Sequence, residues 1–568
     1  MDVYGTAVTA ITQAYQVTVF IQGVISDIKS FDEDREEVRL KLNVQLSTLL
    51  FFRRIFVHPE HGLLLPGKLD TFIAKTIEGL LVQMRKTLTE YELVAVKYGL
   101  VTGGDEDGGL EKPEEVKESL LHRIKIKAMS LKMKGYDWSL FDKKRLHKLL
   151  EAYTNWSADL RNLMQHLSQD ALSRVVDEND QGLKATGLEP VMKRRKMVDT
   201  HAPNEFQSLE GQIIEEGAVS GGFQLGRWTP SGSTSSTMVV IEFHEYEGLL
   251  KGDDLEPDEI EELKAPIRNL AWLLKNSTFN SHESPDAEPG LEPPQIYALK
   301  CLGFIDQPEE ERNVFLYSLP TSDEDDQHEG TVAPTTDLTT LHGFINAVDR
   351  ESKRPLKRPS LNDRFSMAHC LAITLLNVHA SKWVHKNVWS RGILLFLQTP
   401  AGVRASGLQA HRLLNTPNPQ QRILAYLSDW GYARSEQQGT DMRADFEAEP
   451  NLYRHPDRQG RPTRQFQRRH DIYALGVVLL EIGLWVTLSR LMETKIREAE
   501  KTGRLPRPKK VAADLVALAQ QGLPKEMGEG YAQAVVDCLT GNFREGDVEL
   551  ALDFQEKVVN ILARGMML

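Results

Sequence analysis

Chemistry-bearing residues gather in two short stretches, WVHKNVWSRGILLF (383–396) and LSDWGYAR (427–434). The first holds His385, Asn387, Trp389 and Gly392 ahead of an apolar run, and the second holds Asp429. Asp429 is the hard oxygen ligand of the set and the one position suited to Mg2+. Asn387 has no oxygen that titrates near neutral pH, so it cannot act as a general base. Trp389 offers no charge, and Gly392 has no side chain to coordinate with. Upstream, the apolar run VVIEF (239–243) carries Glu242 and is followed by His244. A carboxylate there repels phosphates rather than holding them. Cys301, Cys370 and Cys538 lie far apart, without CxxC spacing or a disulfide framework, which points to a reducing compartment, most simply the cytoplasm. Nucleophile elbows and His-Glu zinc motifs are absent, so no metal centre or hydrolase site is expected.

The elements that must position these residues change character along the chain. At 568 residues it is too long for one ordinary core. Residues 2 to about 180 read as helices, with 3.6-residue apolar spacing at 40–56 and 69–100, and a further long helix over 141–167 that Asp142 would cap. This predicts a bundle of four to seven helices. Residues 181–210, with the basic cluster KRRK (193–196), read as a linker. From 211 the pattern turns to β-like runs, TMVVIEF (237–243), CLGFI (301–305) and NVFLYSL (313–319), interrupted by a helical stretch at 256–275. Beyond 338 helices dominate again, beginning with 360–380. The N-terminus lacks a basic n-region and a cleavage site, so no secretory signal is expected. The net charge of −13 argues against wholesale nucleic-acid binding.

A β-rich lobe followed by a helical lobe is the order of a protein kinase, and 211–565 resembles that family in four segments. HKNVWSRGILLF (385–396) resembles the catalytic loop and its strand, and LSDWGYAR a D-F-G segment with Trp430 for Phe. LYRHPD (452–457) resembles the end of an activation segment. HDIYALGVVLLEIGLW (470–485) resembles the large-lobe helix in which Asp471 braces the catalytic loop. The resemblance implies a degenerate member. Asn387 replaces the general base, whose loss costs about 10²–10⁴-fold in rate. Trp389 stands where many members carry a phosphate-facing Lys, Gly392 replaces the second metal ligand, and Glu242 or His244 takes the place of the ATP-anchoring Lys. Gly217, Gly221, Gly222 and Gly226 do not spell the phosphate-loop pattern. No cofactor is implied, beyond weak Mg-ATP binding at Asp429.

The N-terminal bundle, 1–180, resembles the HeLo domain of fungal heterokaryon-incompatibility proteins, the HET-S family. The resemblance rests on an uncharged first helix, a long-helix bundle, and the phrase KAMSLKMKGYDWSLFDKKRLHKLLEAYTNW (127–156). The combination is also similar to the mixed lineage kinase domain-like protein of animal necroptosis. The fold class implied is multidomain, an all-α HeLo-like bundle plus a bilobal α+β kinase-like domain.

Val3 to Ser26 contains no charged residue, and about 20 helical residues suffice to cross a bilayer core. Thr6, Thr9, Gln13 and Gln16 share one face, a polar stripe that suits either a bundle helix or a pore wall. Between Lys117 and Lys148 ten Lys/Arg stand against three acids. Lys125, Lys127, Lys132, Lys134, Lys143, Lys144, Arg145 and Lys148 form a candidate surface for anionic lipids. The expected function is a cell-death or incompatibility effector, cytoplasmic and recruited to the plasma membrane. Its pseudokinase would regulate a membrane-targeting bundle that oligomerises on activation by an upstream signalling protein. The alternatives are a divergent active kinase and an interaction scaffold that never meets a membrane.

Overall fold

The computed structural model describes residues 3–25, 35–57, 62–66, 69, 71–97, 139–165, 194, 197, 201–246, 250, 256–276, 296–320, 338–348, 353–399, 402–405, 422–436, 442 and 444–566. Two compact units divide the chain, Met1–Met192 with His282–Pro294, and Lys193–Ser281 with Gln295–Leu568.

The first unit is helical in its described part: α1 (Val3–Ile25), α2 (Arg35–Val57), α3 (Thr71–Thr87), α4 (Thr89–Lys97) and α5 (Lys143–Gln165). Helix α1 packs on α2 and α3, and α5 closes on the same pair. Small residues at Ala7, Ala10 and Ala14 are fully buried, which lets neighbouring backbones approach. Further along, Phe20 meets Phe141 edge-on at 5.9 Å, and Tyr91 meets the same ring at 5.6 Å. Buried polar groups are paired across helices: Thr18 with Tyr153, and Ser157 Oγ donating to Gln45 Oε1 at 2.8 Å. Asp142 caps α5 as expected, accepting from Arg145 N at 3.0 Å. The single helix expected over 69–100 is instead two. Leu88 N bonds back only three residues, to Arg85 O, and the Thr89 hydroxyl takes Lys86 O, so local side-chain bonding tightens the chain into a turn. The apolar period survives the break, because Leu88, Tyr91 and Ala95 remain buried.

The second unit begins with a five-stranded antiparallel sheet of order β1-β2-β3-β5-β4: β1 (Gly211–Ser220), β2 (Phe223–Pro230), β3 (Thr237–Glu245), β4 (Cys301–Gln307) and β5 (Arg312–Ser318). Helix α6 (Pro257–Asn276) lies between β3 and β4 in sequence and packs against β4. The described end of the segment expected as a linker is bound to this unit: Leu209 N donates to Phe304 O at 2.8 Å, and Ala202 N to Asn269 Oδ1 at 2.8 Å. Arg194, within the basic cluster, is buried and donates to Ser381 Oγ at 2.9 Å.

After the sheet come α7 (Leu341–Ile345), α8 (Leu361–Ala380), the short β6 (Trp383–Val384), and a three-stranded sheet of β7 (Ile393–Thr399), β8 (Gly402–Ala405) and β9 (Arg422–Leu427). A two-residue strand β10 (Arg434–Ser435) pairs with β6. Then follow α9 (Ala448–Tyr453) and α10 (Arg468–Leu484), and helices continue to Gly565. Ser360 caps α8, accepting from Asp363 N. Helix α10 is buried along nearly its whole length, with Asp471 and Glu481 among its buried residues, so it has no solvent-facing polar side. One continuous apolar core joins the sheet face carrying Phe223, Val240 and Phe315 to α8, β7, β9 and α10.

Candidate functional site

Period-two alternation on β3 turns Val240, Glu242 and His244 to one face while Val239, Ile241 and Phe243 pack on the other. Glu242 is thereby carried inside, only 3% exposed, and His244 Nε2 lies 2.9 Å from its Oε1. Both candidates for the anchoring position therefore sit together. The His244 ring lies against Gly431, where a Cβ would meet it at 2.3 Å. Burial opposes charge on His244, but the Glu242 and Asp429 carboxylates outweigh it and raise its pKa.

Asp429 follows β9 in the left-handed region (φ 67°), which Asp tolerates better than most residues. Its Oδ2 accepts from Asn387 Nδ2 at 2.5 Å and from Trp389 Nε1 at 2.7 Å. Burial, with the nearby Glu242 carboxylate, pushes its pKa up to about 7, against the pull of those two donors. The candidate metal ligand is thus already hydrogen-bonded to both Asn387 and Trp389.

Gly392 explains how the indole fits. A Cβ there would stand 3.0 Å from Trp389 Cδ1 and Nε1, and from Asp429 Cβ. The missing side chain is the space in which Trp389 packs. Above the same loop, the β1–β2 turn at Gly221 (φ 62°) approaches so closely that a Cβ would lie 2.5 Å from Arg391 O. Glycine is required there twice over, for its backbone angle and for the contact.

Behind the loop, Asp471 is fully buried and its two oxygens accept from His385 N and Lys386 N, each at 2.8 Å, with His379 Nε2 3.1 Å away. The His385 ring is buried against Trp430, and burial holds its pKa down at about 4. Sequence reasoning missed a second anchor, Glu481. Its Oε1 accepts from Leu488 N (2.7 Å), Tyr453 OH (2.8 Å) and Ser390 Oγ (3.1 Å), tying α10 to the loop and to α9. The available signal was an acid inside the apolar run GVVLLEIGL (476–484).

On the first unit, Thr9 is exposed and Thr6, Gln13 and Gln16 are half-buried, so the polar stripe is the outward side of α1. The opposite side, with Ala7, Ile11 and Thr18, is core. By length and composition α1 is apolar enough to cross a membrane, and most of it is buried in the unit. Lys144, Arg145 and Lys148 are exposed on α5, with Arg145 Nη1 3.6 Å from Glu90. The Lys143 side chain, and Lys125, Lys127, Lys132 and Lys134, lie outside the described residues.

Residues 4–188 match the HeLo family model, described as prion-inhibition and propagation. That stretch spans the described helices of the first unit, and it links the chain to functions of the incompatibility and cell-death kind. The HeLo match ends before the sheet of the second unit, which is mixed sheet and helix. No curated protein matches the chain.

Proposed function

We propose that the chain is an incompatibility or cell-death effector in which a catalytically silent, kinase-like second unit governs a membrane-acting HeLo bundle. The observation that carries this reading is the capture of Asp429 by Asn387 and Trp389. A metal approaching Asp429 has to displace two hydrogen bonds and compete with a proton, since the carboxyl titrates near neutrality. Glu242, beside it, opposes phosphate by charge. No titratable group stands at Asn387 to take a proton from a substrate hydroxyl. The four kinase-like segments, in order around this site, support a scaffold kept while phosphotransfer was lost. Membrane action is supported by the HeLo match, by the uncharged α1 and by the exposed cations of α5.

The test has two arms, the first on the full chain. Without nucleotide binding, millimolar MgATP leaves the melting temperature unmoved, whereas a ligand at 100 times its dissociation constant would stabilise the fold by about 2.7 kcal/mol. A large upward shift, with phosphate transfer lost in Asp429→Ala, would revive the divergent-kinase alternative. In the second arm, anionic vesicles release an entrapped dye when the chain is activated by proteolytic or genetic removal of the second unit. Failure to bind or permeabilise vesicles under any salt condition leaves the scaffold reading.

A further inference from the structure

Cations gather on the second unit where two segments meet, GRPTRQFQ (460–467) and GRLPRPKK (503–510). Neither segment holds an acid, and Arg461, Arg464, Arg504, Arg507, Lys509 and Lys510 are all exposed. The meeting point is Gly460, in the left-handed region (φ 63°). A Cβ there would stand 3.4 Å from Leu505 Cδ1 and 3.8 Å from Phe446 Cε1, so these two apolar side chains flank the glycine. Phe446 is 67% exposed. The backbone beneath it is fixed: Asp445 N donates to Gly460 O at 2.9 Å, and Gly460 N to Asn451 Oδ1 at 2.7 Å. An aromatic side chain held in water on an anchored backbone, beside a surface of one sign, has the composition of an interface anchor.

Folding does not account for this charge. Arg464 Nε lies 3.6 Å from Asp457, but among the described residues no ion pair engages the other five cations. Lys509 and Lys510 open the helix Pro508–Met527, whose first turn holds no acid, although that end of a helix disfavours cations. Burial and the like charge of Lys510 also lower the pKa of Lys495. Like charges held together against their own repulsion attract an anionic partner. The chain itself, at net −13, carries one. Residues 321–337, TSDEDDQHEGTVAPTTD, hold six Asp/Glu and no Lys/Arg, and they lie outside the described residues. Their run Asp323–Asp326 begins three residues beyond Pro320, so chain length keeps it within roughly 20 Å of that proline. Strand β5, just before it, packs on β3 and β4, whereas the helix Pro508–Met527 packs on α10 and on Pro456–Arg458. The acidic run of one copy is thus tethered to a different part of the unit from its own patch.

We propose that the patch around Phe446 binds the acidic run Asp323–Asp326 of a second copy of this chain, so that the second unit self-associates. Arg461, Arg504 and Arg507 offer guanidinium forks that match carboxylates in pairs, and Phe446 supplies apolar contact beside them. Two copies of net charge −13 repel one another at long range, and local complementarity is what overcomes that repulsion. Such complementarity fixes partner and orientation more than it adds affinity, so the contact is weak and salt-sensitive. The inference goes beyond the function proposed above and stands whether or not the HeLo bundle acts on membranes.

The experiment is sedimentation velocity of the full chain over a range of concentrations, at low and at high salt. Concentration-dependent association is expected at low salt, weakened about tenfold or more at about 1 M salt, where the Debye length is about 3 Å. Arg504→Glu with Arg507→Glu should weaken association about tenfold or more, and so should Asp325→Lys with Asp326→Lys. Melting curves confirm that both variants are folded. An equal mixture of the two should associate again, because the native acidic run of one meets the native patch of the other. A native chain that stays monomeric at low salt overturns the proposal, and so does association that neither reversal changes. A mixture that fails to recover overturns it too, since the run and the patch are then not each other's partners. Loss of anionic-vesicle binding in Arg504→Glu with Arg507→Glu, with sedimentation unchanged, overturns it in favour of a lipid surface.

Discussion

Trp389 and Gly392 occupy one another's space: the indole packs where the glycine has no Cβ, and from there its Nε1–H reaches Asp429. Two residues that read separately in the sequence therefore form one packing unit. The pair places a hydrogen-bond donor on the Asp429 carboxylate, and several consequences can be measured.

Gly392→Asn should destabilise the chain by about 1–3 kcal/mol, because its Cβ would press on Trp389 and on Asp429. Combined with Trp389→Ala, which empties the contested space, the cost should be well below the sum of the two single changes. A double-mutant cycle by denaturant unfolding reads this directly. Additive effects would mean that the indole and the glycine are energetically unrelated.

Asn387→Asp should not confer phosphotransfer. It replaces the donor 2.5 Å from Asp429 Oδ2 with a second carboxylate. The loss of a charge-assisted hydrogen bond costs about 1.5–3 kcal/mol at pH 8, and the new like charge raises the Asp429 pKa further. Near pH 5 a shared proton can bridge the two oxygens, so the destabilisation should shrink there. Equal destabilisation at both pH values would show that Asp429 is not the partner responsible.

Glu481 sets a pH signature. Burial raises its pKa from 4.5 to about 7, offset in part by the Leu488, Tyr453 and Ser390 donors. A carboxyl whose folded pKa lies above its unfolded value contributes stability below about pH 4.5 and loses it as pH rises through about 7. Asp429 acts in the same direction, while His385 and His470, lowered to about 4, lose their contribution as pH falls from 6.5. Glu481→Gln keeps an Oε1 acceptor for the three donors and cannot ionise. The variant should gain on the native chain as pH rises from 5 to 8, by on the order of 2–3 kcal/mol. Unfolding curves whose separation does not change with pH would refute the assignment.

Lys144→Glu with Lys148→Glu reverses two exposed charges on α5. Each basic residue near an anionic leaflet adds about 1 kcal/mol of attraction, so vesicle binding should fall by more than about tenfold at low salt. The defect should fade as salt rises, because the Debye length is about 10 Å at 0.1 M. Melting should be nearly unaffected, since neither side chain is buried. Vesicle affinity that ignores the double reversal would remove α5 from the membrane surface.

Local pattern determined a good deal. The apolar period located α2 and α5, Asp142 announced the start of α5, and alternation in TMVVIEF and NVFLYSL located β3 and β5 within two residues. These signals are legible because burial on one face imposes a period on the chain itself. The HeLo resemblance of the N-terminal helices was likewise readable from sequence and agrees with the family match over 4–188. Residue types alone also excluded a general base at Asn387 and a side-chain ligand at Gly392.

Tertiary structure decided how those residues answer one another. No spacing rule says that Trp389 lies over Gly392, that Asn387 and Trp389 share one oxygen of Asp429, or that Glu242 and His244 pair on one side of β3. Glu481 looked like an isolated acid until α10 was placed against Ser390 and Tyr453, 91 and 28 residues away in sequence. The break at Leu88 was equally hidden, since the apolar period runs through it and only hydrogen bonding divides the helix. Pattern reports which side of an element is buried. Partners, pKa shifts and the space a missing side chain leaves depend on distances between segments far apart in the chain, which only folding fixes.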